Sequence, residues 1–181
     1  MIVVKNITDR IHEEELKNLI YEYYDETYSG IFSKIPFKAI RDFFTGNQAY
    51  IDMDLKDLYD KETSSKAVGL YEGETLIGFA CVHVHDGNGE LYNLYIKPEH
   101  RKKFISEGKK RSLAADLMTS LVSEFESGGA GEIYVSAPYS KEFMLKLFED
   151  MGFKLDKVTS EEAMYSMSLE GKENEWGSCS K

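Results

Sequence analysis

Cysteine is almost missing from this chain. Its 181 residues hold two, Cys81 inside an apolar run and Cys179 in a polar tail. Two cysteines so placed form neither a disulfide framework nor a paired-cysteine metal motif. A reducing cytoplasm is therefore the expected compartment, with no metal expected. Basic charge is also short, with 22 Lys and Arg against 32 Asp and Glu, a formal net charge of −10. Such a balance lacks the electrostatic footprint of a nucleic-acid binder. It attracts cationic partners such as amines, and it also serves plain solubility. No apolar run reaches the roughly 20 residues that span a bilayer. The opening MIVVKNITDR meets charge too early for a signal peptide, so no membrane association is expected. No internal repeat is seen.

Apolar residues make up 42% of the chain and aromatics 13%, ordinary values for a globular protein. The length suits one domain with a real core, expected over residues 1–170, with 171–181 a polar tail that frays. The stretch Gly89 to Phe125 organises the rest. Glu90 to Ile96 is rich in aromatic and β-favouring residues and is stopped by Pro98. Leu113, Leu117, Leu121 and Phe125 recur at every fourth position, with Ala114, Met118 and Val122 beside them. That spacing predicts a helix with one apolar face. The loop before it ends in Lys109-Lys110-Arg111-Ser112. Amides at a helix N-terminus attract anions, and three cations there strengthen the pull. Strand, basic loop and helix together suggest a phosphate-bearing ligand, although basic loops before helices are commonly just solvated.

The text Leu91-Tyr92-Asn93-Leu94-Tyr95-Ile96-Lys97-Pro98-Glu99-His100-Arg101 resembles the fourth-strand ending of the GNAT superfamily, the acetyl-CoA-dependent amine N-acetyltransferases. That family follows the strand with Gln/Arg-x-x-Gly-x-Gly/Ala at a helix start. Two registers are open. One uses Arg101-x-x-Phe104-x-Ser106, needs no insertion and lacks both glycines. The other uses Lys109-x-x-Ser112-x-Ala114 and inserts a loop near Arg101 to Gly108. The second agrees with an apolar stripe that starts at Leu113. Gly152-Phe153 resembles the end of the family's last motif. The resemblance covers roughly Ala67 to Leu169.

The other elements follow in order. Ile2 to Val4 reads as a short strand. A helix capped by Thr8 or Asp9 carries Leu16, Leu19, Ile20 and Tyr23 on one face and breaks at Ser29-Gly30. A second helix starts near Pro36, carries Phe37, Ile40 and Phe44, and stops at Gly46. Tyr21, Tyr23, Tyr24 and Tyr28 suit a core or a homodimer face better than a substrate pocket. Gln48 to Thr63 is acidic and reads as a solvated loop or short helix, with a second use in drawing in a polyamine-like substrate. Ala67 to Tyr71 and Thr75 to His85 read as a hairpin, turned again at Asp86 to Gly89 into the central strand. His83 and His85 share one face and suit structural or surface roles better than an acceptor cleft. After Ser127 to Gly131, Glu132 to Ser136 is a strand parallel to the central one. A helix capped by Ser140 carries Phe143, Leu147 and Met151, and Ser160 to Leu169 holds a final strand.

The resemblance implies an α/β (α+β) fold with a mixed, mostly antiparallel central sheet flanked by helices. It implies transfer of an acetyl group from acetyl-CoA, as cosubstrate, to a primary amine of a small molecule or peptide. Backbone amides at Leu94, Tyr95 and Ile96 would hold the pantetheine arm and carbonyl. Lys109, Lys110, Arg111, Ser112, Leu113, Ala114 and Ala115 would cradle the pyrophosphate. An ammonium of pKa near 10 needs a base or a water chain at neutral pH. Glu90 stands where several members carry a general-base glutamate, and otherwise reads as a solvent-facing strand end. The tyrosine that protonates the leaving thiolate in many members is Phe148 here, which cannot donate. Tyr139 is the nearest substitute. The alternative is a catalytically weak acyl-CoA-binding or protein-interaction module that keeps the fold.

Overall fold

The computed structural model describes residues 1–7, 10–32, 55–56, 58–59, 65–101, 112–138, 141–160 and 162–169. The elements run β1 (Ile2–Ile7), α1 (Glu13–Phe32), β2 (Ser65–Glu72), β3 (Thr75–His85), β4 (Asn88–Ile96), α2 (Leu113–Ser127), β5 (Glu132–Pro138), α3 (Glu142–Asp150), β6 (Lys154–Val158) and β7 (Glu162–Ser168). One seven-stranded sheet joins them in the order β1-β2-β3-β4-β5-β7-β6. Every pairing is antiparallel except β4 with β5. The mixed, mostly antiparallel sheet expected from the sequence is therefore present.

Strand alternation divides the core between the two faces. One face packs Val68, Ala80, Val82 and Ile133 against Leu113, Leu117, Leu121 and Phe125 of α2 and Leu147 and Phe148 of α3. The other packs Phe79, Cys81 and Tyr95 against Leu16, Leu19 and Ile20 of α1. These are the heptad-like residues whose spacing predicted both helices. Ser112 caps α2, its side chain accepting from the Ala115 amide at 3.2 Å. The hydroxyl satisfies one of the amides left open at a helix start.

Several boundaries differ from the sequence expectation. The break at Ser29-Gly30 is absent, and α1 continues to Phe32. A glycine inside a helix costs about 1 kcal/mol, which a long helix packed on the sheet can absorb. β1 extends to Ile7 because β2 offers partners as far as Ala67. A strand at 154–158 was not expected. All five of its residues are exposed, so it lacks the apolar alternation by which strands are read. The final strand is accordingly the second arm of a β6–β7 hairpin and starts at Glu162. Lys141, not Ser140, occupies the capping position of α3, without a side-chain bond. The second helix expected at 36–46, Thr8 and Asp9, and most of the acidic stretch 48–63 lie outside the described residues.

Candidate active site

The central strand is bent by one extra residue. Cys81 of β3 pairs with Asn93, but the next residue, Val82, pairs with Leu91. Tyr92 is left over as a β-bulge, and a bulge bends its strand and adds twist. The parallel ladder to β5 runs from Asn88 opposite Glu132 to Leu91 opposite Val135, and stops there. β5 itself continues beside β7 as far as Pro138. The two parallel strands therefore part at the bulge.

A cavity of about 440 Å³ fills the gap. Its walls are β4 from Leu91 to Ile96, Ser136 and Ala137 of β5, and Ala114 of α2. Beyond Leu91 the β4 main chain has no ladder partner on β5, so its polar groups face the cavity edge. Tyr23, Glu26 and Thr27 of α1, with Phe143 and Met144 of α3, also line it.

Among the described residues, the charged lining is Glu26, Arg101 and Lys141. The Arg101 Nη1 donates to Glu26 Oε1 at 3.0 Å and Nη2 to Oε2. Arg101 Nε donates to the Ile96 carbonyl at 2.8 Å, and Lys141 Nζ lies 3.8 Å from Glu26 Oε1. The bond from Arg101 holds the Glu26 carboxyl below the usual carboxylate range, and that pairing raises Arg101 in turn. Beneath this cluster the buried Tyr95 donates its hydroxyl to Glu22 Oε2 at 3.1 Å. Burial first, and then that bond, push the Tyr95 phenol up to about 12. The Arg101 guanidinium lies over the Tyr95 ring at 5.4 Å.

The sequence-derived candidates distribute as follows. Leu94, Tyr95, Ile96 and Ala114 all line the cavity. Ser112 caps the helix beside it, and Leu113 and Ala115 are buried in the first turn. Lys109, Lys110, Arg111 and Tyr139 lie outside the described residues. Glu90 is exposed, on the strand that forms the wall but one residue before the lining begins. Phe148 is fully buried against Phe153 and Tyr165. Sequence reasoning missed the Glu26, Arg101 and Lys141 rim, because three separate elements contribute it. It also missed Asn93, one of the two buried polar or charged side chains among the described residues. A buried amide at a strand centre was the signal available there.

A parted parallel pair with a helix start beside it is a known arrangement. The family model of the acetyltransferase (GNAT) family matches residues 17–153. The chain belongs to that family. Among solved structures, PaiA N-acetyltransferase from Thermoplasma acidophilum, in complex with coenzyme A, is similar at 18% identity and a TM-score of 0.70, over 93% of this chain and 99% of that one. The ribosomal-protein-S18-alanine N-acetyltransferase from Escherichia coli is similar at 14% identity and 0.59, over 93% and 94%. The N-acetyltransferase PseH from Campylobacter jejuni is similar at 20% and 0.58, over 93% and 98%. At these identities the likeness carries the fold. No curated protein matches the chain in sequence.

Membership makes this GNAT chain an acetyltransferase with acetyl-CoA as cosubstrate. Its own residues fit that ligand. The cavity is apolar along Leu91, Leu94 and Ala137, open to the β4 main chain, and flanked by the capped start of α2. A thin amide-bearing arm and an anionic head need those two surfaces. No described helix is long and apolar enough to cross a membrane.

Proposed function

We propose that this GNAT protein N-acetylates a primary amine, carried by a small molecule or a peptide. The parting of β4 and β5 at the Tyr92 bulge supports the reading most strongly. It leaves a row of main-chain groups beside a largely apolar cavity, where polar groups aimed at a developing charge act strongly. Bound there, acetyl-CoA supplies the acetyl group as a thioester. Backbone amides at Leu94, Tyr95 and Ile96 hold the arm and the carbonyl. Lys109 to Ala115 take the pyrophosphate, with Ser112 fixing the helix start; the cap at Ser112 favours the register that begins at Lys109. Glu90 takes the amine's proton through water, since its carboxylate stands one residue outside the cavity lining. The thiolate has a pKa near 8.5 and leaves without help from Phe148. Tyr139, outside the described residues, is the tyrosine just before α3 that could substitute for it. The reading places the reaction in a reducing cytoplasm, in keeping with a chain of 181 residues that holds two cysteines.

The exposure of Glu90 and the burial of Phe148 favour a second reading, a catalytically weak acyl-CoA-binding module. Calorimetric titration with acetyl-CoA and with CoA, followed by thiol release over a set of primary amines, separates the two. Micromolar binding with turnover supports the enzyme. Binding without turnover supports the module. No binding at millimolar acetyl-CoA refutes both.

A further inference from the structure

The sheet register gathers a polar ribbon on the face that carries α1. Ser65 of β2 stands opposite His83 of β3. His83 stands opposite Glu90 of β4, and Glu90 beside Tyr134 of β5. The apolar neighbours of each residue, such as Val82, Leu91, Ile133 and Val135, belong to the core on the other face. All four polar side chains therefore share one side. The ribbon crosses the sheet at the point where β4 and β5 are still paired, just before they part.

Three observations single out His83. Its Nδ1 lies 2.9 Å from the Ser65 hydroxyl, a part-buried contact. One ring nitrogen is thus occupied, and the bond made by one imidazole nitrogen sets the role of the other. Directly opposed residues of an antiparallel pair have Cβ atoms about 4.5–5.5 Å apart, within reach for an imidazole and a glutamate. Glu90 in turn is two positions before Tyr92, which lines the cavity.

We propose that His83 is a positioning residue for Glu90 and the outlet for its proton. Ser65 holds Nδ1, so Nε2 is the nitrogen that exchanges a proton with the Glu90 carboxylate. The inference rests on the base role proposed for Glu90. The reaction releases a proton that such an outlet would carry. An ammonium R–NH3⁺ gives up two protons as its nitrogen bonds the acetyl carbon and the carbon–sulfur bond breaks. One ends on the CoA thiol and the other must reach solvent. Glu90 receives it, His83 Nε2 takes it on, and bulk water removes it. Among the described residues, the register sets His85, Tyr134 and Glu132 around this pair, with Asp86 bonded to His85 at 3.0 Å. Tyr134 donates to Glu132 at 2.7 Å, so that carboxylate already has its own partner.

The test has a substrate-free arm and a kinetic arm. Histidine ¹⁵N NMR of the pure protein reads the tautomer and hydrogen bonding of the His83 ring. Glu90→Gln is expected to shift the Nε2 resonance, and Ser65→Ala to change the tautomer balance. An unmoved Nε2 resonance in Glu90→Gln overturns the inference. In the kinetic arm, with whichever primary amine the thiol-release assay turns over, His83→Ala is expected to lower kcat several-fold. KM for acetyl-CoA should hold, and added imidazole should restore part of the rate. Slowing in Glu90→Gln with unchanged kcat in His83→Ala overturns the outlet and leaves the base reading standing. Unchanged kcat in Glu90→Gln removes the base reading, and the outlet with it.

Discussion

The Arg101 guanidinium spans both carboxylate oxygens of Glu26, a residue 75 positions earlier in the chain. The pair ties α1 to the chain just past the end of the central strand. Lys141 adds a second cation to the same carboxylate. The Glu26 carboxyl is depressed in the folded state, so the pair stabilises the protein above the ordinary carboxylate pKa of about 4.3. That contribution is lost as pH falls through the lower, folded value. Glu26→Gln should remove this acid-side dependence. Both groups are about one-third exposed, so the cost at pH 7 should be no more than about 1 kcal/mol. Urea unfolding between pH 3 and pH 7 checks both points.

Tyr95 gives the opposite alkaline signature. Its folded pKa of about 12 lies above the ordinary tyrosine value. Stability from the neutral phenol is therefore complete below pH 10 and declines as pH rises towards 12. Tyr95→Phe should cost about 1 kcal/mol at pH 7 through the lost bond to Glu22. It should also flatten the decline between pH 10 and 12. Thermal unfolding in that range is the measurement.

Gly89 is fixed by packing. A Cβ there would sit 2.1 Å from Cδ1 of Phe125, whose ring is fully buried. Gly89→Ala should cost about 1–3 kcal/mol, the usual penalty for overpacking a core. Denaturant titration gives the value. Unchanged stability would mean that the ring moves freely.

Replacing Lys110 and Arg111 together with alanine should weaken acetyl-CoA binding by about one to a few kcal/mol, because charge-assisted bonds to phosphate are strong. Calorimetry reads this directly. Unchanged affinity would assign the phosphate contacts to the other register, which begins at Arg101.

Glu90→Gln should slow turnover more at neutral pH than at high pH, where the free amine is already abundant. A uniform loss across the pH profile would argue against a base role for Glu90.

Much of this was legible in the residues alone. The four-residue recurrence from Leu113 to Phe125 specified α2, because only one helix face can meet a sheet. Pro98 ended the central strand because a ring nitrogen cannot donate to a ladder. The run Leu91 to Arg101 resembled the family's strand ending, since local text carries backbone geometry.

Other features had no local signal. The bulge at Tyr92 is a mismatch between two strands and exists only once β3 and β4 are in register. β6 is an exposed polar strand, held by its pairing with β7. The Glu26, Arg101 and Lys141 rim draws on three distant elements. The Ser65, His83 and Glu90 row depends on two pairings at once. Sequence alone determined the apolar faces of α1 and α2 and the run of strands from β2 to β5, because those follow from periodicity. Only tertiary structure decided where β4 and β5 part and which charges meet at the opening, because both depend on strand register, which brings together residues far apart in the chain.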